Sequence, residues 1–182
     1  MLGVMSTELP VVGQAPPPRN PIGPYRVCVV CLGNICRSPT AEVLLRNEFE
    51  RVGLDGKAVV ESAGTGDWHV GEPMHPGASS ELERRGLDGS RHTARQIERS
   101  WLADYDLVLA MDRRNLASLR QMAADDPDLA GRIQLMLSFD PEAVDGAEVP
   151  DPYEGSAEEF EAVFDLLLPA SREVASQLAE ML

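Results

Sequence analysis

Short apolar segments alternate with amphipathic ones along most of this chain. The apolar segments are "YRVCVVCL", which begins at Tyr25, and then "AVVESAG", "YDLVLAM" and "RIQLMLSF". Short runs that are nearly continuous in apolar residues are typical of strands buried on both faces of a sheet. These runs predict four parallel strands.

Segments with helical periodicity lie between the predicted strands. They are "SPTAEVLLRNEFERVGL", "PGASSELERRGL" and "RNLASLRQMA". In the first of them we expect Ser38 to be the N-cap and Pro39 the first helical residue, because both residue types are favoured there. Gly53 is expected to end this helix.

A last helix is predicted to begin at Ser156, where Glu159 has the spacing of a capping box. Pro169 should kink or split this helix, because proline removes a backbone hydrogen bond inside a helix. Alternating strands and helices predict an α/β fold, with a doubly wound four-stranded parallel sheet and helices on both faces. In such folds ligands bind at the carboxyl ends of the strands.

The amino-terminal part of the chain lacks this periodicity. Its first 24 residues contain six of the 14 prolines. This composition predicts a flexible Pro-rich tail over residues 1–24, followed by one folded domain over residues 25–182.

Composition and charge exclude several classes of protein. The 182 residues are 43% hydrophobic and 25% charged, which is ordinary for one globular domain. The apolar runs are too short to span a bilayer, and no secretory signal is recognisable, so we expect a cytoplasmic protein without membrane contact. The net charge of -14 argues against nucleic acid as a partner.

The stretch "CVVCLGNICRSPTAE" contains all three cysteines: Cys28, Cys31 and Cys36. A zinc site is disfavoured, since the nearest histidine is His69 and no finger-like spacing follows. "CVVC" has the spacing of a redox pair, but in a strand its two cysteines would face opposite sides. We expect Cys28 to be a small buried hydrophobe, and we expect neither a metal nor a cofactor.

Cys31 and Arg37 have the spacing C-x5-R, which suits a phosphate. A loop between a strand and a helix can point its backbone N–H groups at an anion, and the helix N-terminus adds partial positive charge. The same surroundings stabilise a thiolate at Cys31. Arg37 can bind two phosphoryl oxygens, and Gly33 and Asn34 tolerate unusual backbone dihedrals.

The longer motif "CLGNICRSP" resembles the low-molecular-weight protein tyrosine phosphatases. The resemblance runs from about Arg26 to the end, through "CLGNICRSPTAE", "SAGTGDWHVGEPMHP", "HTARQ", "YDLVLAMDRRN" and "VPDPYEG". It implies a phosphate-binding loop after the first strand. The residues of this loop are Leu32, Gly33, Asn34, Ile35, Cys36, Arg37 and Ser38.

The resemblance also implies a mechanism. Cys31 would attack phosphorus to form a phosphocysteine intermediate that water hydrolyses, while Arg37 binds the phosphoryl group. Departure of a phenolate calls for a general acid, and the matching residue is Asp151 in "VPDPYEG". Without the resemblance, Asp151 is one of 30 acidic residues.

Further roles follow from the same resemblance. The hydroxyl of Ser38 would support the thiolate, and Ser62 and His92 would brace the phosphate loop together with Asn34. No cofactor is implied. The partners would be phosphotyrosine proteins and, by analogy with the family, a cognate tyrosine kinase.

Aromatic residues are implied as walls for a substrate ring. Trp68 and Tyr153 match these family positions, although a buried core tryptophan is the alternative for Trp68. We expect His69 and His75 to be exposed loop histidines.

The chain departs from the family pattern in two places. Glu154 replaces a second aromatic residue of the "DPYY" pattern, and an acidic rim should favour substrates with basic neighbours. The 24-residue tail is the other departure, because the family chain usually begins at its first strand. The resemblance further implies that Cys36 can pair reversibly with Cys31 under oxidising conditions.

Three alternatives stay open. Arsenate reductases share this fold, but no cysteine follows Cys36 to complete an internal thiol cascade, so an external thiol would be needed. Arginine phosphatases of this fold tend to have threonine at the position of Ile35, so Ile35 and Tyr153 favour tyrosine. A catalytically inactive phosphotyrosine-binding module normally lacks the nucleophile or the acid, and both are present here.

Overall fold

The structure is a computed structural model, and it describes residues 13–182. Its sheet contains four parallel strands in the order β2-β1-β3-β4. The strands are β1 (Tyr25–Cys31), β2 (Ala58–Gly64), β3 (Leu107–Ala110) and β4 (Ile133–Leu135). The predicted four-stranded parallel sheet is therefore confirmed.

Helices cover both faces of this sheet, also as predicted. On one face lie α1 (Arg37–Arg51), α2 (Pro76–Arg84) and α6 (Ala157–Met181), and on the other α3 (Arg99–Leu102), α4 (Arg113–Met122) and α5 (Pro127–Gly131). Each face has its own apolar core, and the strands contribute alternate residues to the two cores. Cys31 belongs to one core and Cys28 to the other, so these two cysteines face opposite sides.

Strand β1 is central, with β2 on one side and β3 on the other. The chain leaves β1 through α1 towards β2, and it later forms the other half of the sheet with β3 and β4. The carboxyl end of β1 is thus the point where the winding direction changes, which is the usual ligand position in such sheets.

The start of α1 differs from the prediction. Its N-cap is Cys36 and its first residue is Arg37, so the expectation that Ser38 caps the helix is wrong. The loop after β1 enters the helix earlier than expected, and Ser38 lies in the first turn with its hydroxyl free to face Cys31. Gly53 follows the helix with φ of 77°, which confirms it as the terminator.

The predicted fourth strand is also shorter than expected. Only three residues form β4, and a 3-10 turn, Met136–Phe139, follows it. Neighbouring residues Met136 and Leu137 are both buried in the same core, which a strand with alternating faces cannot achieve. An apolar run does not distinguish these two conformations.

Pro169 does not split the last helix. Helix α6 runs continuously for 25 residues, and its capping box between Ser156 and Glu159 is confirmed. A proline inside a helix costs about 3 kcal/mol. Fully buried Leu167 and Val174 lie on either side of it, and burying such side chains contributes roughly 1.5–3 kcal/mol each.

Residues 13–24 lie against the domain through several hydrogen bonds. The prediction of a flexible tail therefore does not describe these residues, because they supply partners to polar groups of the domain. The rest of the predicted tail, residues 1–12, lies outside the described residues, and the domain boundary at residue 25 stays a prediction. No helix within residues 13–182 is long and apolar enough to cross a membrane.

Candidate active site

The loop that connects β1 to α1 surrounds the thiol of Cys31. Cys31 is the last residue of β1, and Arg37 is the first residue of α1. The hydroxyl oxygen of Ser38 lies 3.1 Å from the Cys31 sulfur, and the backbone N–H of Asn34 donates to the same sulfur at 3.3 Å. Both contacts suit a sulfur that carries negative charge.

Asn34 determines the shape of this loop. It has φ of 56°, in the left-handed region that asparagine tolerates, and its side chain is fully buried. The Asn34 amide donates at 2.9 Å to the hydroxyl groups of both Ser38 and Ser62. Its Oδ1 accepts from the backbone N–H of Arg95 at 2.9 Å.

His92 braces the loop from behind. Its Nε2 donates to the backbone carbonyl of Asn34 at 2.6 Å. Burial lowers the pKa of His92, which keeps the ring neutral with its proton on the nitrogen that binds the carbonyl. The structure therefore brings Ser38, Ser62 and His92 together around Asn34.

The hydrogen-bond chain continues to a residue that the sequence reasoning missed. Ser62 donates to Oε2 of Glu42 at 2.5 Å, and the guanidinium of Arg95 donates to the Ser62 carbonyl at 2.9 Å. Glu42 belongs to the quoted motif and lies four residues after Ser38 on α1, so helical spacing already places both on one face.

Arg37 is held in one orientation by groups from distant parts of the chain. Its Nη1 donates to Oδ2 of Asp112 at 2.7 Å and to the carbonyl of Val149 at 3.1 Å, and its side chain is 4% exposed. Burial opposes the charge, but Cys31, Asp112 and Asp151 raise the pKa of Arg37 above its ordinary value. Sequence reasoning missed Asp112, although it lies in "YDLVLAMDRRN" just after β3.

One donor of Arg37 stays unused. Its Nε is buried and has no hydrogen-bond partner among the residues that the structure describes. Buried N–H groups are nearly always paired in folded proteins, so an unpaired one beside a cavity indicates a ligand position. The guanidinium therefore has a donor available for an anion next to Cys31.

Asp151 reaches the same place from the loop before α6. Its Oδ2 accepts from Nη2 of Arg37 at 3.3 Å, and its Oδ1 accepts from the Tyr153 backbone N–H at 3.2 Å. The side chain is 44% exposed. Cys31, Arg37 and Asp151 therefore meet at one cavity, although Asp151 lies 114 positions from Arg37 in the sequence.

A cavity of about 220 Å³ opens above the Cys31 sulfur. Trp68 and Tyr153 line it together with Leu32 and Ile35 of the loop. Trp68 is 69% exposed, so the alternative of a buried core tryptophan is excluded. The two aromatic rings give the cavity apolar walls above a polar floor.

The two loop histidines are less exposed than predicted. His69 lines the cavity, with its Nδ1 2.6 Å from Oε2 of Glu72 and its ring centroid 5.6 Å from that of Tyr153. His75 accepts from the Gly77 backbone N–H at the start of α2 and stacks on Phe160. Both are half-buried because the aromatic side chains of the site pack against them.

The three cysteines are free and buried. Cys36 lines the cavity beside Cys31, and burial raises its pKa to about 12. Burial likewise raises the pKa of Cys28 to about 12. Within residues 13–182, no group of His, Cys, Asp and Glu side chains is arranged to hold a metal ion.

Known proteins with similar sequences and folds share this arrangement of elements. Residues 26–182 match the family described as low molecular weight phosphotyrosine protein phosphatase. A low molecular weight protein-tyrosine-phosphatase of Streptomyces coelicolor is 41% identical over 157 residues, which are 86% of this chain and 94% of that protein. The crystal structure of YfkJ from Bacillus subtilis superposes with a TM-score of 0.78 at 39% identity, covering 86% of this chain and 96% of that one.

A protein tyrosine phosphatase from Entamoeba histolytica, with Hepes in its active site, superposes with a TM-score of 0.80. It is 30% identical and covers 86% of this chain and 97% of that one. The family match spans the whole chain from β1 onwards, and the sequence relatives and solved structures agree with it. The chain therefore belongs to the low molecular weight phosphotyrosine protein phosphatase family and is a protein tyrosine phosphatase.

Proposed function

We propose that this protein hydrolyses phosphotyrosine in proteins through a phosphocysteine intermediate, with Cys31 as nucleophile, Arg37 as phosphoryl ligand and Asp151 as general acid and base. The observation that carries the proposal is the buried Nε of Arg37, which has no partner among the described residues, in a side chain that lines the same cavity as Cys31. A dianionic phosphoryl group would supply the missing acceptor.

The loop is suited to bind the phosphoryl oxygens. The first N–H groups of α1 have no partner inside the helix, and the side chain of N-cap Cys36 does not cap them. These groups, with the loop amides of residues 32–36, can donate to the oxygens, and the helix N-terminus favours negative charge. Arg37 adds a planar pair of donors, Nε and Nη2, while Asp112 holds Nη1.

The first chemical step transfers the phosphoryl group to sulfur. Ser38 and the Asn34 amide stabilise the Cys31 thiolate, which attacks phosphorus opposite the tyrosine oxygen. The S–P bond forms as the P–O bond breaks, and Asp151 gives its proton to the departing phenolate. Trp68 and Tyr153 would enclose the ring.

The second step regenerates the enzyme. Asp151, now a carboxylate, accepts a proton from a water molecule as that water attacks phosphorus. The S–P bond breaks, inorganic phosphate leaves, and the thiolate returns to the contacts that it makes with Ser38 and Asn34. Arg37 binds the same oxygens in both steps.

The experiment is hydrolysis of p-nitrophenyl phosphate and of a phosphotyrosine peptide near pH 6. Cys31→Ser should abolish turnover of both substrates. Asp151→Asn should lower kcat on the peptide by roughly 10²–10⁴-fold, the usual contribution of a general acid. The loss should be smaller on p-nitrophenyl phosphate, whose leaving group needs less protonation.

Two results would contradict this mechanism. Equal losses of kcat on both substrates for Asp151→Asn would contradict the role of Asp151 as general acid. Turnover by Cys31→Ser would contradict the role of Cys31 as nucleophile. Arsenate reduction under excess thiol is measured in parallel. Thiol-dependent arsenate turnover without ester hydrolysis would favour the arsenate reductase alternative.

We also propose that Glu154 selects substrates with basic neighbours. The residue is exposed and follows Tyr153 at the rim of the cavity. Two phosphopeptides with Lys or Glu beside the phosphotyrosine test this, with Glu154→Gln as the matched variant. The basic peptide should have the higher kcat/KM, and the difference should shrink in Glu154→Gln. Equal values in the wild type would contradict the proposal.

Cys36 is proposed as the redox partner of Cys31. Peroxide would oxidise the Cys31 thiolate to a sulfenic acid, and the Cys36 sulfur would then displace water to form a disulfide. The raised pKa of Cys36 keeps it as a thiol until that step. Inactivation by peroxide should be reversed by dithiothreitol in the wild type and much less in Cys36→Ser. Equal recovery would refute the pairing.

The proposed partners are phosphotyrosine proteins, including a tyrosine kinase that carries such residues. The net charge of -14 disfavours nucleic acid and acidic membrane surfaces as partners. Three unpaired cysteines suit a reducing compartment, and the cytoplasm stays the predicted location.

A further inference from the structure

Residues 13–24, here called the strap, precede β1 and pass across the amino-terminal ends of the strands, on the side of the sheet away from the cavity. The strap contacts Tyr25, Asp106 and Arg132, which lie at or just before the starts of β1, β3 and β4. The cavity lies at the carboxyl ends of the strands, where β1 ends at Cys31. No described residue of the strap lines the cavity.

The strap pairs polar groups that the sheet buries. Asp106 is 5% exposed, and its two carboxylate oxygens accept from the backbone N–H groups of Arg19 at 2.6 Å and Arg26 at 2.7 Å. Buried Arg132 donates from Nη1 to the carbonyl of Pro17 at 2.9 Å. One carboxylate therefore joins the strap to the start of β1, and one guanidinium joins it to the start of β4.

Tyr25 and Arg19 extend this pattern. The hydroxyl of fully buried Tyr25 donates to the Pro16 carbonyl at 2.9 Å. The Arg19 guanidinium lies 3.6 Å from a carboxylate oxygen of Asp128 and 4.0 Å from one of Asp126, both at α5. A buried hydroxyl that loses its acceptor destabilises the folded state, so the domain depends on the strap for these groups.

Gln177 on α6 makes two hydrogen bonds to the start of the strap. Its Nε2 donates to the Gly13 carbonyl at 2.9 Å, and its Oε1 accepts from the Ala15 backbone N–H at 2.9 Å. The Gly13 N–H donates to the Ser138 carbonyl in the 3-10 turn at 2.6 Å. A Cβ on Gly13 would lie 2.5 Å from the Ser138 hydroxyl oxygen, so the backbone approaches this turn as closely as glycine allows.

We propose that residues 13–24 are an integral strap of the folded domain, which joins α6 to the β3–β4 side of the sheet and supplies partners to its buried polar groups. The family match begins at residue 26, so the strap is an addition to the family domain. Its role is stability, and it leaves the chemistry at Cys31 unchanged. The inference is independent of the proposed catalytic mechanism.

The test is a set of four variants of the full chain: deletion of residues 1–12, deletion of residues 1–24, Gln177→Met, and Gln177→Met combined with the longer deletion. Met keeps the length of the Gln side chain and removes both hydrogen bonds to the strap, together with the one that Nε2 donates to Glu173 at 2.9 Å on the same helix. Thermal unfolding gives Tm, and p-nitrophenyl phosphate turnover at 25 °C gives kcat. The deletion of residues 1–12 is the matched control, since it keeps the strap.

Deletion of residues 1–24 should lower Tm by about 5 °C or more below the control, because several hydrogen bonds to buried groups are lost together. Gln177→Met should lower Tm by about 4 °C in the full chain and by clearly less once the strap is deleted, when only the contact between Gln177 and Glu173 is left to lose. The kcat of every folded variant should stay within about twofold of wild type, which separates this role from a catalytic one.

Equal Tm values for the two deletions would overturn the proposal, as would an equal effect of Gln177→Met with and without the strap. If the longer deletion yields no folded protein, hydrogen exchange of the full chain decides. The Ala15 and Arg19 amides should exchange at least about tenfold more slowly than in an unfolded chain, and Gln177→Met should speed up Ala15. If the Ala15 and Arg19 amides of the wild type exchanged as fast as in an unfolded chain, the proposal would be overturned.

Discussion

Asn34 offers a sharp test of how the phosphate loop keeps its shape. We consider two substitutions, Asn34→Ala and Asn34→Gly. Both remove the three side-chain hydrogen bonds with Ser38, Ser62 and Arg95. They differ in their tolerance of the left-handed backbone, because glycine adopts φ of 56° freely and alanine does not.

The magnitude follows from these contacts. A hydrogen bond contributes about 1 kcal/mol net to stability, and three are lost together, two of them to the buried hydroxyl groups of Ser38 and Ser62. Both variants should therefore lose about 3 kcal/mol of unfolding free energy. Alanine pays a further ~1–2 kcal/mol in the left-handed region. Glycine loses roughly 0.5–1 kcal/mol through chain entropy, so Asn34→Ala should be the less stable variant by up to about 1.5 kcal/mol.

Urea denaturation measures the stability of both variants, and inhibition by inorganic phosphate measures how tightly the loop binds phosphate. Phosphate should bind at least about tenfold more weakly to both variants, since a loss of 1.4 kcal/mol in binding corresponds to tenfold. A stability loss below about 1 kcal/mol in either variant would refute the role of the three hydrogen bonds. If Asn34→Gly were less stable than Asn34→Ala, the role of the left-handed backbone at residue 34 would be refuted.

Two further predictions concern residues around the loop. Asp112→Asn weakens the charge-assisted contact that orients Arg37, so the Ki of inorganic phosphate should rise by about 10–100-fold, with little change in Tm; an unchanged Ki would contradict it. The pKa of His92 is lowered in the folded state, so the unfolded state binds more protons below about pH 6.5 and stability falls as pH falls. His92→Gln should therefore lose less unfolding free energy than wild type between about pH 7 and 5, measured by urea denaturation, and equal losses would contradict this.

The loop itself was predictable because its residues are contiguous. A strand, five loop residues and a helix place Cys31 and Arg37 at the two ends of one loop by local geometry alone, and Asn34 at φ of 56° meets the expectation from its residue type. The N-cap was not predictable, since Ser38 suits both a cap and a contact with the sulfur. Only the three-dimensional arrangement shows which of the two its hydroxyl makes.

The partners of Arg37 were harder to predict. Asp112 and Asp151 lie 75 and 114 positions away in the sequence, among 30 acidic residues. The resemblance to the family pointed to Asp151, but nothing in the local pattern pointed to Asp112. The half-buried state of His69 was missed for the same reason, because the ring that packs against it comes from Tyr153.

By itself, the sequence determined the alternating α/β architecture, the position of the loop between Cys31 and Arg37 and the resemblance to the phosphatase family. Periodicity, capping and loop composition act within short windows, so they can be read without knowledge of the fold. The tertiary structure decided which acids reach Arg37, the turn after β4, the continuity of α6 through Pro169 and the docking of residues 13–24. Each of these depends on packing or hydrogen bonds between residues far apart in the chain, where the energy of burial overrides local preference.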